Sequence, residues 1–210
     1  MSKIRYTPIT YELCKPVAQL LELCFPDMPE EDQYSAEELE GMVELFPMGT
    51  PIVLDGERPI GMGTGIFTDL DFDNMPATEN ELLYDEDDVC RHNPDGAYYF
   101  GSDIAVHPDY RGRGIARQIY NWRKQQVIDH NKRGFAAAAV LPGYADHRGK
   151  LTIHDYVAKV VAKELFDPTL SVQLRNGFRV VKLLHEFFVF PRSDNWSALI
   201  VWDNPNLPSL

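Results

Sequence analysis

The sequence predicts an α/β fold in which helices flank a central, mostly antiparallel sheet of six or seven strands. Segments of strand composition alternate with segments whose apolar residues recur every three or four positions, which is the period of a helix. The strand–helix–strand unit from Tyr98 to Leu141 requires two parallel neighbouring strands, because a crossover joins them. With 44% hydrophobic content, residues 1–210 suffice for one core and are predicted to form a single domain.

The N-terminal part of the chain is predicted to contain a strand, two helices and a hairpin. Apolar residues after Thr10 recur with helical spacing, and Ser35 with Glu38 forms a capping-box pattern at the start of a second helix. Asp55 and Gly56 lie between two apolar, β-branched runs, as in a hairpin turn. The predicted bounds are strand Lys3–Pro8, helix Thr10–Cys24, helix Ser35–Phe46, and strands Pro51–Leu54 and Ile60–Phe67.

Residues 68–97 are the least regular part of the chain and are interpreted as an acidic insertion. They include the run Asp85–Asp88, and a short helical turn is predicted near Glu81–Tyr84. One interpretation is a lid or wall that attracts a cationic acceptor. The other, which the sequence favours, is a solvated excursion at the surface.

The central stretch, Tyr98–Ala116, has the order strand, glycine loop, helix. Aromatic and β-branched residues form the strand, and Pro108 ends it because proline cannot donate to a sheet ladder. Gly112 and Gly114 then precede a helix that begins at Ile115. The N–H groups in the first turn of a helix have no intrahelical partner and, together with the helix dipole, attract anions. This order therefore predicts a phosphate-binding loop.

The segment Val106–Ala116 resembles motif A of the GNAT N-acetyltransferase superfamily, whose form Arg/Gln-x-x-Gly-x-Gly/Ala corresponds to Arg111–Ala116. The resemblance implies that the loop holds the pyrophosphate of acetyl-coenzyme A and that the preceding strand hydrogen-bonds the pantetheine arm. It also implies that this strand splays from the predicted strand Phe135–Leu141. The residues predicted to contact the cofactor are Ile104, Ala105, Val106, Arg111, Gly112, Arg113, Gly114, Ile115, Ala116, Arg117 and Gln173.

The C-terminal part is predicted to contain one long helix, a strand of small residues, two further helices and a final hairpin. Gly134 is predicted to cap the long helix, and Thr152 with Asp155 forms another capping-box pattern. Gly177–Val181 resembles the Gly-Phe turn into the penultimate strand of the superfamily. The predicted bounds are helix Ile115–Gly134, strand Phe135–Leu141, helix Thr152–Leu165, helix Thr169–Asn176, and hairpin strands Phe187–Phe190 and Ala198–Trp202.

Two further segments, Leu141–Tyr144 and Asp167–Phe178, are similar to a narrower subgroup. This subgroup is the acetyltransferase-like module that some bacteria fuse to a carbon–nitrogen hydrolase. A hydrolase does not fit in 210 residues, so only the module is expected, and the similarity carries no substrate with it.

Acyl transfer from a thioester to an amine needs a group that takes the amine's proton and a proton for the thiolate. Many superfamily members have a tyrosine acid four residues before the glycine of the Gly-Phe turn. Here that position is Gln173, which cannot supply a proton. Tyr144 is the nearest substitute, because Pro142 and Gly143 would project it from the end of a strand; a tyrosine packed under a loop is the alternative. Asp103 is the candidate for the base or for holding a cationic acceptor, and a carboxylate facing an arginine or water is the alternative.

The composition bears on partners and location. The net charge of −12 argues against nucleic acid as a partner, since binding phosphate backbones needs a basic surface. The sequence has neither a signal-peptide pattern nor an apolar stretch of about 18 residues, so no membrane association and a cytoplasmic location are expected. Three scattered cysteines and the spacing of the histidines predict no metal site. A homodimer is compatible with the sequence, which does not determine the oligomeric state.

Two functions follow from these patterns. The first is an acetyl-coenzyme A-dependent N-acetyltransferase that acts on the primary amine of a small molecule or on a lysine-like group. The second is a binding or interaction module that keeps the fold and the cofactor loop but has lost turnover, because Gln173 replaces the usual acid.

Overall fold

The computed structural model describes residues 4–26, 28, 33–87 and 89–208, so the predictions at Lys3 and Asp88 lie outside it. Helices and strands alternate along the described chain as the sequence predicts. The helices are α1 (Tyr11–Cys24), α2 (Ala36–Leu45), α3 (Glu79–Leu83), α4 (Ile115–Asp129), α5 (Ile153–Val161) and α6 (Leu170–Arg175). The strands are β1 (Ile4–Pro8), β2 (Pro51–Asp55), β3 (Arg58–Gly63), β4 (Ile66–Thr68), β5 (Tyr98–Phe100), β6 (Ile104–Val106), β7 (Gly134–Val140), β8 (Arg179–His185) and β9 (Trp196–Asp203).

The described strands form two sheets, in the orders β1-β2-β3-β6 and β4-β5-β7-β9-β8. The neighbours β5 and β7 are parallel, from Tyr98↔Gly134 to Phe100↔Ala136, as the crossover unit predicts. The pairs β1–β2, β2–β3, β3–β6, β7–β9 and β8–β9 are antiparallel. The mixed, mostly antiparallel α/β class is therefore confirmed.

The strand number differs from the predicted six or seven because the chain leaves strand geometry at residues 64–65 and 101–103. These interruptions separate β3 from β4 and β5 from β6. At the second one, the Asp103 N–H donates to Thr64 Oγ1 (3.0 Å) and the Asp103 carbonyl accepts from the Arg123 guanidinium. The Asp103 carbonyl also accepts the Thr64 N–H (3.1 Å), so side chains and one backbone bond together hold the two interruptions.

Contacts group the chain into two compact units. Unit 1 contains the residues up to Ile66 together with Gly101–His130, and unit 2 contains Phe67–Phe100 and the residues from Asn131 onward. The acidic insertion belongs to unit 2, and its predicted helical turn is confirmed as α3. That the whole chain is one domain stays a prediction.

In unit 1, helices cover both faces of the first sheet. The apolar face of α1, with Val17 and Leu21, packs with Ile52 in one core cluster. Ile119 of α4 packs with Val53 in another. Because consecutive residues of a strand point to opposite faces, the adjacent residues Ile52 and Val53 of β2 pack against α1 and α4 respectively. The predicted capping box of α2 is also confirmed, since Ser35 and Glu38 exchange both hydrogen bonds (3.2 and 2.7 Å).

In unit 2, aromatic rings pack around β7. The Phe135 ring lies 4.9 Å from that of Tyr99 and 5.0 Å from that of Phe178, both in edge-to-face geometry. Such pairs add to the stability that burial of the rings already provides. The predicted turn before β8 is confirmed: Gly177 has φ 85°, a conformation that favours glycine.

The prediction that Gly134 caps α4 is wrong. The helix ends at Asp129 with His130 as its C-cap, and Gly134 is the first residue of β7. A Cβ at Gly134 would lie 2.7 Å from the Trp202 carbonyl oxygen on β9. Glycine is present because the neighbouring strand approaches closely, and a sequence pattern cannot distinguish this need from that of a helix cap.

The predicted strand Phe187–Phe190 is also wrong. The strand that forms the final hairpin with β9 is β8, and the chain leaves β8 at Glu186, whose φ is 59°. Phe187 is buried in the following loop, where its ring packs against that of Phe100 at 6.4 Å. Of this run only Phe187 is buried, whereas Val189 is exposed, and the backbone is not paired as a strand.

Candidate functional site

The glycine loop between β6 and α4 has an open backbone conformation. Gly112 and Gly114 have φ values of 75° and 78°, in the left-handed region that favours glycine. A Cβ on either residue would have no heavy atom within 4 Å, so the space beside the loop is free of protein. Gly114 is the N-cap of α4, a helix of 15 residues. Open space thus lies beside two glycines that lead into the first turn of a helix, an arrangement that fits a bound phosphate.

Three exposed arginines surround the loop, although the chain as a whole is acidic. Arg111 Nε donates to the Val106 carbonyl (3.1 Å), and an Arg113 amino group donates to the Asp109 carbonyl (2.8 Å). Arg117 lies on the first turn of α4. Backbone carbonyls of β6 and of the loop thus hold two of the three arginine side chains in place.

The loop is anchored to the β2–β3 hairpin by side chains that the sequence analysis missed. Tyr110 donates its hydroxyl to Asp55 Oδ2 (2.7 Å), and this hydrogen bond raises the pKa of the tyrosine. The buried His107 ring hydrogen-bonds the Arg58 guanidinium through Nε2 (2.7 Å). Neither pair has a sequence signal, because the partners lie about fifty positions apart.

Residues Ile104–Val106 form β6 at the edge of the first sheet. One side of β6 pairs with β3, in the register Gly61↔Val106 to Gly63↔Ile104. The other side has no strand partner in the described chain. An extended ligand can hydrogen-bond such an edge as an added strand would.

Asp103, just before β6, is half-buried and has its backbone bound by Thr64 and Arg123. Arg123, which is only 1% exposed, donates to the Asp103 carbonyl from α4. Burial raises the pKa of the Asp103 carboxyl, and the positive charge of Arg123 offsets part of this rise. The residue nevertheless retains some exposed surface, because it lines a small cavity.

This cavity has a volume of about 10 Å³ and lies within unit 1. Its wall combines apolar side chains with Asp103 and two other polar groups, which the sequence analysis did not identify. The Tyr34 hydroxyl also hydrogen-bonds Ser102 Oγ (3.3 Å), which in turn bonds Thr64 Oγ1 (2.7 Å). The lining residues are Leu21, Phe25, Met28, Gln33, Tyr34 and Asp103.

Gln173 lies on α6 in unit 2 and is 5% exposed. Its side-chain oxygen is buried and accepts no hydrogen bond within the described residues. A buried amide oxygen without a donor costs about 1–3 kcal/mol, so the position is suited to a ligand that supplies an N–H group.

The expectation that Pro142 and Gly143 project Tyr144 outward is wrong. Tyr144 is 7% exposed, its hydroxyl donates to the Leu151 carbonyl (3.2 Å), and its ring packs against that of Tyr156 at 5.5 Å. The tyrosine packed under a loop, the alternative that the sequence left open, matches this structure.

The loop after β7 is organised around the buried carboxyl of Asp167. This group accepts hydrogen bonds from the Gly143 N–H (3.0 Å) and the Tyr156 hydroxyl (2.8 Å). It also accepts from the N–H groups of Thr169 and Leu170 at 2.8 and 2.9 Å. Burial and the bond to Asp167 raise the pKa of Tyr156, which is therefore a hydrogen-bond donor and not a base.

The candidate residues are divided between the two units. Asp103 and the predicted loop and strand residues from Ile104 to Arg117 belong to unit 1, whereas Tyr144 and Gln173 belong to unit 2. Within the parts of the chain that the structure describes, no group of three or more histidine, cysteine or acidic residues could hold a metal ion. Among the same residues, no helix combines the length and apolar composition needed to span a membrane.

Comparison with known protein families finds one match that covers more than half of the chain. The model of the Acetyltransferase (GNAT) family matches residues 15–145. This range includes Asp103, the glycine loop and β7.

Two curated proteins of Bacillus subtilis (strain 168) are similar to this chain. "Probable hydrolase YhcX" is 26% identical over 195 residues, which cover 90% of this chain and 37% of that protein. "Uncharacterized N-acetyltransferase YkwB" is 27% identical over 186 residues, covering 88% and 82%. The chain thus spans little more than a third of the length of the first relative.

Solved structures share the fold at low identity. The loading GNATL domain of CurA from Lyngbya majuscula has a TM-score of 0.79 at 17% identity, covering 98% of this chain and 100% of that domain. The GphF GNAT-like decarboxylase in complex with isobutyryl-CoA has a TM-score of 0.77 at 16% identity, covering 96% and 99%. An aminoglycoside 6'-N-acetyltransferase complexed with coenzyme A has a TM-score of 0.60 at 14% identity, covering 98% and 99%.

Proposed function

Because the chain belongs to the acetyltransferase (GNAT) family, we propose that it transfers an acyl group from a coenzyme A thioester to a primary amine. The family uses acetyl-coenzyme A as its acyl donor. The observation that carries the proposal is the conformation of the loop at Gly112 and Gly114. Both glycines have positive φ, no protein atom lies within 4 Å of where their Cβ atoms would be, and arginines surround the loop.

The pyrophosphate would accept hydrogen bonds from the backbone of Arg111–Ala116, with Arg117 adding charge. The pantetheine arm would pair with the outer edge of Ile104–Val106. In this proposal the chain binds its donor substrate mainly through backbone groups.

Asp103 would act as the general base. Burial raises the pKa of the Asp103 carboxyl, so this carboxylate is a stronger base than that of an exposed aspartate. It can therefore take a proton from an ammonium group near neutral pH more readily. The freed amine nitrogen then forms a C–N bond to the acyl carbon, the C–S bond breaks, the nitrogen loses its proton to the solvent, and the thiolate takes up a proton. Gln173 cannot supply this proton, and in the present structure the Tyr144 hydroxyl is bonded to Leu151. The solvent is then the source of the thiol proton.

The proposal is tested in two steps with the full chain. Calorimetric titration with coenzyme A and acetyl-coenzyme A measures binding, and release of free thiol over a panel of primary amines measures transfer. Binding followed by amine-dependent thiol release is the expected result. Binding without turnover across the panel would favour the alternative function, a coenzyme A-binding module, and absence of both would contradict the whole proposal.

A second candidate is decarboxylation of a carboxyacyl-coenzyme A. Its support is the TM-score of 0.77 to a GNAT-like decarboxylase, against 0.60 for the aminoglycoside acetyltransferase. Incubation with malonyl-coenzyme A and mass spectrometry would distinguish the two. Formation of acetyl-coenzyme A without an amine favours this candidate, whereas an unchanged thioester favours amine transfer.

A further inference from the structure

Arg123 on α4 is a buried arginine that the proposed reaction does not use. Only 1% of the residue is exposed, and its guanidinium donates to the backbone carbonyl of Asp103. Both residues belong to unit 1. A buried charge is costly unless its N–H groups find acceptors. The bond therefore places a positive charge against the backbone just before β6, the strand proposed to bind the cofactor arm.

Gly63 on β3 provides the room that this arginine needs. In the pairing of β3 with β6, Gly63 is opposite Ile104. The backbone of Gly63 does not have a positive φ, so its conformation does not require glycine. A Cβ at this position would, however, collide with the Arg123 guanidinium. Glycine is therefore needed here so that the guanidinium can lie against the sheet beside Ile104.

Hydrogen bonds at the two ends of β6 show which of its residues bond to β3. The Asp103 carbonyl accepts the Thr64 N–H (3.1 Å), and the His107 N–H donates to the Ile60 carbonyl (2.9 Å). In an antiparallel pair, the residues of a strand alternate between bonding to the partner and pointing away from it. Asp103 and His107 lie two positions on either side of Ala105, so these three residues bond toward β3.

The alternate residues, Ile104 and Val106, direct their backbone N–H and carbonyl groups toward the open edge of β6. The Val106 carbonyl agrees with this direction, because it accepts from Arg111 Nε of the glycine loop (3.1 Å). The open edge has no strand partner in the described chain. The Ile104 N–H is therefore available to an extended ligand that lies along this edge.

The peptide bond between Asp103 and Ile104 links the buried arginine to the open edge. A trans peptide is planar, so its N–H points opposite to its carbonyl, and the described residues contain no cis peptide bond. Because Arg123 and the Thr64 N–H hold the Asp103 carbonyl on the inner side, the N–H of the same peptide faces outward. A charged donor at the carbonyl also polarises the peptide, which makes its N–H a stronger donor.

We infer that Arg123 is a positioning residue, which fixes the Ile104 N–H at the open edge of β6 so that it donates to a carbonyl oxygen in the arm of the donor thioester. The inference rests on the proposed function, which supplies the coenzyme A thioester as the ligand. Arg123 does not touch the ligand and acts through one backbone peptide. The glycine loop binds the other end of the ligand, so the two ends can be tested separately.

The test is calorimetric titration of the full chain with acetyl-coenzyme A and with the 3'-phosphate of adenosine diphosphate, the part of coenzyme A that lacks the arm. Arg123→Met removes the buried donor and should weaken acetyl-coenzyme A binding about tenfold. Affinity for the nucleotide should stay within about twofold of the wild type, because the pyrophosphate binds the glycine loop. Arg123→Lys retains a charged donor and should restore part of the lost affinity.

Two further variants separate positioning from general damage to the fold. Val127→Ala leaves a cavity on the buried face of the same helix but retains Arg123, so it should lower stability and leave both affinities unchanged. Gly63→Ala should reproduce the effect of Arg123→Met, because the added carbon displaces the guanidinium. The double variant should bind acetyl-coenzyme A about as well as either single variant, since both residues act through one bond.

Hydrogen exchange tests the backbone geometry of the free chain. The Ile104 N–H should exchange faster than the N–H groups of Ala105 and His107, which bond to β3. Acetyl-coenzyme A should then protect the Ile104 N–H in the wild type and protect it much less in Arg123→Met. A merely structural role of Arg123 would not produce this difference at one amide.

Three outcomes would overturn the inference: equal loss of affinity for both ligands in Arg123→Met, unchanged affinity for acetyl-coenzyme A in this variant, or slow exchange of Ile104 in the free wild type. If Arg123→Met does not fold, Arg123→Lys decides. Its smaller loss must be confined to acetyl-coenzyme A, and an equal loss for the nucleotide contradicts the inference.

The inference and the proposed function can fail separately. Arg123-dependent binding of acetyl-coenzyme A without thiol release to any amine contradicts the transfer reaction and leaves the role of Arg123 in place. Thiol release to amines with an affinity that Arg123→Met does not alter contradicts the role of Arg123 alone. A wild type that binds neither ligand contradicts both.

Discussion

The two loops that follow β6 and β7 each lead from a strand to a helix, yet they are built differently. In the loop after β6, the two glycines have positive φ and open space where a Cβ would lie. In the loop after β7, Gly143 has no room for a Cβ, which would collide with the Tyr156 hydroxyl and lie 3.1 Å from Asp167 Oδ2.

The difference concerns what occupies the space beside the backbone. In the loop after β7, the protein fills that space with its own groups, and the Asp167 carboxyl accepts the Gly143 N–H. In the loop after β6, no protein atom lies within 4 Å of the positions that a Cβ of Gly112 or Gly114 would take. In the loop after β7, glycine thus allows close packing of the protein's own groups. In the loop after β6, it leaves room in which an anion could bind.

The largest expected effect is on stability, in the loop after β7. Gly143→Ala should lower the free energy of unfolding by about 3 kcal/mol, because the added carbon overpacks a buried hydrogen-bonded site. Urea denaturation measures this change. Gly149→Ala is the matched control, since Gly149 lies in the same loop with φ 77° and open space, and it should cost only about 1 kcal/mol of backbone strain. Partial rescue of Gly143→Ala by Tyr156→Phe would assign the cost to the hydroxyl, and equal losses at both glycines would contradict the comparison.

The next effect is on coenzyme A affinity, in the loop after β6. Gly114→Val should weaken binding at least tenfold, because its branched side chain enters the open space and strains the backbone at φ 78°. Gly56→Val provides the control: Gly56 has φ 65° and open space but lies in the β2–β3 hairpin turn. Calorimetry should show normal affinity for the Gly56 variant. Equal affinities of the two variants would exclude the loop from cofactor binding.

A smaller effect is expected when charge is removed from the same loop. Arg113→Gln should weaken coenzyme A binding about threefold at low salt, since exposed charges contribute little beside backbone hydrogen bonds. The difference from the wild type should shrink as salt is added. Arg5→Gln, an equal charge change on exposed β1, should have no measurable effect, and a similar loss there would indicate a general effect of net charge.

The smallest effect is expected at Tyr144. Tyr144→Phe should lower the free energy of unfolding by about 1 kcal/mol or less through loss of the bond to the Leu151 carbonyl. Thiol release at saturating substrates should stay within about twofold of the wild type, because the solvent supplies the proton in the proposed reaction. A large fall in turnover with unchanged coenzyme A affinity would instead support Tyr144 as the acid.

The sequence by itself determined the helices, most strands, the capping box at Ser35 and the glycine loop. These features depend on residues within one turn or one strand of each other: the helical period of α1, the Pro108 stop, the glycines before Ile115. Local backbone preference and local apolar spacing suffice to specify them. A few consecutive residues therefore suffice to predict the glycine loop and its backbone N–H groups.

Only the tertiary structure decided which groups meet around Asp103 and around the buried carboxyl of Asp167. Arg123 reaches Asp103 across 20 positions, Gln33 and Tyr34 come from the segment before α2, and Tyr156 and Gly143 converge on Asp167. The same holds for Gly134, whose need for glycine comes from the approach of β9. Burial, hydrogen-bond partners and steric room depend on segments that lie far apart in the chain. No periodic pattern in the sequence indicates which of these segments come into contact.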